Sequence, residues 1–120
     1  MREFLWSEEM AEASVHVLLN VDFKQTYDAS KKNADGITEI RNCHINVGTG
    51  KELTIRELSE LVVKAVGFEG EVEFDASKPD GTMRKLISVD KLHSLGWTHK
   101  VEIEDGVKKL FDWYQESLKG

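Results

Sequence analysis

Cys43-His44-Ile45-Asn46-Val47-Gly48-Thr49-Gly50, running into Thr54-Ile55-Arg56-Glu57-Leu58 and on to Val72-Glu73-Phe74-Asp75, is the passage that decides how the chain folds. Its first five residues alternate weakly in polarity and stop at a glycine-bearing turn, the pattern of a short strand. Thr54 and Glu57 then stand at capping-box spacing, where the threonine hydroxyl and the glutamate carboxylate each satisfy a backbone N–H that a helix start leaves open. Leu53 and Leu58 occupy the positions of a hydrophobic staple. Ile55, Leu58, Leu61, Val62, Ala65 and Val66 recur at helical spacing and predict a buried face, and Gly67 suits the left-handed residue that ends a helix. Val72 and Phe74 alternate with Glu71, Glu73 and Asp75, which predicts a second strand with one wet face.

Working outward, Arg2 to Trp6 is short and bulky, and Ser7-Glu8-Glu9 predicts a helix start, with Ser7 accepting from open N–H groups and the carboxylates opposing the positive helix end. Met10, Ala13 and Val17, with Ala11, Val15 and Leu18, carry an apolar stripe to about Asn20. From Val21 to Asn42 the chain is a polar excursion with room for one helical turn and a bend at Asp35-Gly36. Ser77-Lys78-Pro79-Asp80-Gly81-Thr82-Met83-Arg84-Lys85 combines the only proline, a turn glycine and three cations. A short helix is expected over Ser88 to Leu95, stopped by Gly96, with Trp97 turned back onto the core. Val107, Leu110, Phe111, Tyr114 and Leu118 predict a last helix with a polar outer face.

The 120 residues, 40% hydrophobic and 32% charged, suit one domain with one modest core. Cys43 is the only cysteine, so neither an internal disulfide nor a four-ligand zinc set can form. A buried thiol in a reducing, cytoplasmic setting is expected. Acidic residues outnumber basic ones by 22 to 16, and the net charge of −6 argues against nucleic acid as a partner. No apolar run approaches the roughly 20 residues that span a bilayer, so no membrane partner is expected. Structured-looking sequence begins at Arg2 with no polar lead-in, which leads us to expect a fragment of a longer protein.

Gly48-Thr49-Gly50 invites comparison with a dinucleotide fingerprint, but the place of its third glycine is taken by Leu53 and the helix begins only after Thr54. A tight turn accounts for it. His16, His44, His93 and His99 include no pair at one-turn spacing, so no metal site is expected. His44 and Cys43, as strand neighbours, would point to opposite faces and could not share a proton. Glu8 and Glu9 diverge on a helix, where helix-start electrostatics explain them, and Trp6, Trp97 and Trp113 read as packing residues. Arg84 and Lys85, near Lys78 and Asp80, admit two readings: a small anion site suited to a diphosphate, and a solvated basic turn. On the residues alone the basic turn is the plainer reading.

Met1-Arg2-Glu3-Phe4-Leu5 leading into Glu8-Glu9-Met10-Ala11, then His44 to Gly50, then Phe74-Asp75-Ala76-Ser77-Lys78-Pro79-Asp80-Gly81-Thr82 with Arg84-Lys85, resembles the C-terminal part of the GDP-L-fucose synthases over nearly the whole chain. These are NADPH-dependent epimerase-reductases of the extended short-chain dehydrogenase group, acting on GDP-4-keto-6-deoxymannose. The resemblance implies that residues 1–120 are a small mixed α/β, nucleotide-sugar-binding domain lacking the Rossmann domain. Arg2 and Lys85 would neutralise the substrate pyrophosphate, with Arg84 and Asp80 shaping the same loop. It further implies that NADP(H) and the catalytic Ser, Tyr and Lys belong to an absent N-terminal Rossmann domain. No catalytic or cofactor-binding residue is then expected here, the chain alone should be inactive, and the full-length enzyme would be a cytoplasmic homodimer. Tyr27 and Lys31 match the catalytic spacing but fall in the polar excursion. Trp6-Ser7-Glu8-Glu9 and Met83 depart from the family's usual His-Val-Asp-Asp and Pro. A free-standing protein-interaction or nucleotide-binding module is the alternative.

Overall fold

The capping box at Thr54 forms as its spacing requires. In the computed structural model, which describes residues 1–78 and 81–120, the Thr54 hydroxyl accepts from the Glu57 N–H at 3.1 Å and the Glu57 carboxylate accepts from the Thr54 N–H at 2.6 Å. Helix α2 follows over Ile55–Val66 and ends on Gly67 at φ 68°. Before it comes α1, Ser7–Asn20. After it come the single-turn α3, Asp90–Ser94, and α4, Ile103–Ser117. A 3-10 turn at Phe23–Gln25 and a positive-φ bend at Gly36 are the regular features of the 21–42 excursion.

The expected mixed α/β fold is not what forms. Among the described residues there is no strand and no sheet, only isolated antiparallel bridges at Arg2–Leu53 and Lys32–Thr38. Residues 43–47 and 71–75 are irregular. Alternating polarity shows that a segment can lie extended, but a strand exists only when a neighbouring segment supplies a ladder of N–H and C=O partners. Residues 71–75 instead lie beside α2, where the Arg56 guanidinium sits 4.5 Å from the centre of the Phe74 ring.

Helix α1 begins one residue earlier than a Ser7 cap requires. Trp6 holds the N-cap position without a side-chain hydrogen bond, and Ser7 is the first helical residue. Glu9, read as a helix-start charge, is buried instead. Its Oε1 accepts from the backbone N–H of Lys100 at 2.5 Å and of Val101 at 3.1 Å, tying α1 to the chain entering α4. The core is small: Ala13 and Leu92 are fully buried and Trp97 is 4% exposed, with Leu5, Val17, Ile45 and Val47 packed against them. Gly96, at φ 92°, ends α3 and turns Trp97 inward as expected. Cys43 is half-buried rather than buried.

Lys91 closes the long excursion onto this core. Its ammonium donates to the carbonyl oxygens of Thr26 at 3.0 Å and His44 at 2.9 Å, and to that of Asn42, which sits at φ 53°. The faces of α2 and α4 expected to be buried are largely open. Val62 and Val66 of α2, and Leu110 and Tyr114 of α4, are exposed. An accessible surface of 9304 Å² far exceeds the roughly 6,600 Å² of a compact chain this size. The radius of gyration, 19.5 Å, likewise exceeds the roughly 14 Å of a compact domain.

Candidate functional site

Three separate stretches meet where the chain begins: residues 2–5, the Gly48-Thr49-Gly50 turn and residues 81–89. Arg2 is held on its backbone side by Leu53, donating its N–H to the Leu53 carbonyl at 2.8 Å and accepting the Leu53 N–H at 2.9 Å. Its guanidinium Nη1 donates to the Thr82 carbonyl at 2.5 Å and the Met1 carbonyl at 2.7 Å. Gly81 lets the fork lie this close, since a Cβ there would stand 2.9 Å from Arg2 Nη2. The structure therefore brings Arg2 onto the loop that carries Arg84 and Lys85.

Arg84 is already engaged. Its Nε lies 2.8 and 3.0 Å from the two carboxylate oxygens of Glu52, whose side chain is only 11% exposed. The pair anchors the loop to the residues just ahead of α2. Lys85 is exposed, three positions beyond the Thr82 carbonyl that Arg2 grips. Asp80, assigned to the same loop, lies outside the described residues. At the loop's entry the Asp75 carboxylate accepts from the Ser77 hydroxyl at 2.6 Å and the Ser77 N–H at 2.9 Å, and these bonds hold its pKa below the usual 3.8.

The glycine turn has an occupant that the sequence reading did not name. Glu3 Oε1 accepts from the backbone N–H groups of Thr49 at 2.6 Å and Gly50 at 2.7 Å, and Oε2 lies 3.4 Å from the Ile87 N–H. Successive N–H groups pointing into a turn make an anion seat, and here a carboxylate of the same chain fills it. The residues accordingly do not fit the phosphates of a dinucleotide, because the N–H groups that would receive them are taken. Among the described residues, no group of three or more His, Cys, Asp or Glu could hold a metal ion. No helix among them is long and apolar enough to cross a membrane.

Two larger concavities border this junction, the first sharing Phe4 and Thr49 with it and the second Phe4 and Leu5. One, of about 540 Å³, is lined by Glu52, Glu57, Glu60, Glu102 and Glu104 with Lys51 and Lys64, an acidic excess of the wrong sign for a diphosphate. The other, of about 600 Å³, runs between α2 and α4 among apolar side chains including Val62, Leu110 and Trp113.

Glu3, Glu9 and Lys91 are the residues that sequence reasoning missed. Glu9 carries a readable signal, standing one turn before buried Ala13 on the same helix face. Glu3 and Lys91 carry none, because their partners lie more than 40 positions away along the chain.

Comparison with known proteins agrees with the motifs. Over 117 residues, 98% of its length, the chain is 45% identical to the GDP-L-fucose synthase of Escherichia coli. This chain is a homologue of the GDP-L-fucose synthases. It is 42% identical over 98% of its length to GDP-L-fucose synthase 1 of Arabidopsis thaliana. It spans only 34% and 31% of those two proteins. Among solved structures it matches a GDP-6-OMe-4-keto-L-xylo-heptose reductase from C. jejuni with a TM-score of 0.83 at 40% identity, over 97% of this chain and 31% of that one. A GDP-mannoheptose C4 reductase from Campylobacter jejuni, solved with NADP bound, gives 0.77 at 38% identity over 95% of this chain and 31% of that one. No family model matches the chain.

Proposed function

We propose that residues 1–120 form the nucleotide-sugar-binding part of an NADPH-dependent epimerase-reductase that converts GDP-4-keto-6-deoxymannose to GDP-L-fucose. The observation that carries the reading is the Arg2 guanidinium laid along Gly81-Thr82. It sets one cation from the chain start beside a loop bearing a second, Lys85. A pyrophosphate needs at least two such charges, and an arginine fork held at Nη1 still offers its other N–H groups to oxygen. In this reading Arg84 and Asp80 shape the loop, Arg84 through Glu52. The homologous synthases and GDP-heptose reductases support the GDP-sugar half of the proposal.

Cofactor and acid–base groups would come from the portion of the relatives that this chain does not span, an N-terminal Rossmann domain. Hydride and proton transfer require donor and acceptor within contact distance, and this chain contributes one wall of that cleft. The same portion would cover exposed apolar side chains of α1 such as Leu18 and Leu19, 81% and 74% exposed. Calorimetric titration of GDP into the chain tests the assignment. Arg2→Met and Lys85→Met should each weaken binding about tenfold, the loss of one charge-assisted hydrogen bond. Affinity unchanged in both overturns it.

A further inference from the structure

Glu3 stands next to Arg2 and binds three backbone N–H groups from two other stretches of chain. Its carboxylate approaches so closely that a Cβ on Gly48 would lie 2.4 Å from Oε1, with Ile87 Cδ1 at 2.9 Å. The backbone at Gly48 is not in the left-handed region, so the absence of a side chain there answers to space, and the space is Glu3's. The Thr49 hydroxyl adds a longer contact at 3.3 Å. On the far side of this anchor Arg2 makes its paired backbone bonds with Leu53 and reaches Thr82.

We infer that Glu3 is the positioning residue for Arg2. Its carboxylate, seated in the Gly48-Thr49-Gly50 turn and bridged to Ile87, sets the register in which the Arg2 guanidinium meets the 81–85 loop. A single rigid side chain thus binds three parts of the chain to one another, and the fork of Arg2 is pre-organised for a diphosphate rather than ordered on binding. The inference rests on the reading of Arg2 as a pyrophosphate ligand, and it gives the N–H groups of the glycine-bearing turn a partner from the same chain.

The test uses Glu3→Gln, which keeps the shape and removes the charge. Gly48→Ala crowds the same carboxylate from the opposite side and guards against a fold defect peculiar to either variant. By residue-resolved amide exchange, both should speed exchange at Thr49, Gly50, Arg2 and Leu53 at least tenfold, leaving the interior of α2 unchanged. Unchanged exchange overturns the anchor whatever GDP does. By GDP titration, Glu3→Gln should weaken affinity about tenfold when Arg2 is present and have no further effect in an Arg2→Met background. A merely structural role would cost the same in both backgrounds and would overturn the inference. If Arg2→Met alone leaves GDP affinity unchanged, the pyrophosphate reading fails while the exchange result still judges the anchor. If Arg2→Met weakens binding and Glu3→Gln does not, the inference alone fails.

Discussion

Around Trp97 the chain closes on itself, whereas along α2 and α4 it does not. The first region packs Ala13, Leu92 and Trp97 out of contact with water and fastens the surrounding segments with Glu9 and Lys91. The second presents two amphipathic helices whose apolar stripes enclose an open groove, with Trp113 63% exposed. Both follow the same periodic rule in sequence. The difference is that Ala13 of α1 and Leu92 of α3 are sealed in one cluster by Trp97 from the chain between helices, while α2 and α4 pack against each other and still leave much of their apolar stripes exposed. Periodicity specifies that a face seeks cover and is silent on what supplies it.

The largest effect that would break this contrast is at Leu92. Leu92→Ala should destabilise the chain by about 2–5 kcal/mol in urea unfolding, the usual cost of a cavity at a fully buried leucine. A loss below about 1 kcal/mol would mean that the Trp97 region is no better closed than the groove. A smaller effect belongs to the start of α2. Thr54→Ala should cost about 1 kcal/mol, because it removes the acceptor of the Glu57 N–H at the start of α2. The Glu57 carboxylate, bonded by the Thr54 N–H and then its hydroxyl, titrates below its ordinary 4.5. Its contribution is therefore complete above pH 4.5 and is lost as pH falls through the lowered folded value. In Thr54→Ala the acid limb of unfolding should flatten, and an unaltered limb would show that the cap does not supply it. The smallest effect sharpens the contrast. Leu110→Ser, at a side chain 55% exposed, should change stability by no more than about 0.5 kcal/mol. A loss comparable with that at Leu92 would show the groove to be filled in solution.

Local elements were legible wherever neighbours in sequence decide them. The α2 cap at Thr54 and Glu57, its Gly67 stop, the turn of Trp97 after Gly96 and the bend at Gly36 all follow from interactions spanning a few residues. The candidate site was legible in part. The loop's cations stood out from their own spacing, Arg2 entered only through the family resemblance, and Glu3 carried no signal. The α/β fold was misread because alternation at 43–47 and 71–75 describes a segment willing to be a strand, and pairing is settled by segments remote in sequence.

The amino-acid order alone determined the α2 start at Thr54, its stop at Gly67 and the Gly96 turn, because caps and turns are short-range. Tertiary structure alone decided that no sheet forms, that Glu3 fills the glycine turn and that Arg2 reaches Thr82. Each of these depends on a hydrogen-bond partner tens of residues away, and the free energy of such a bond exists only once the intervening chain has been folded to bring donor and acceptor together.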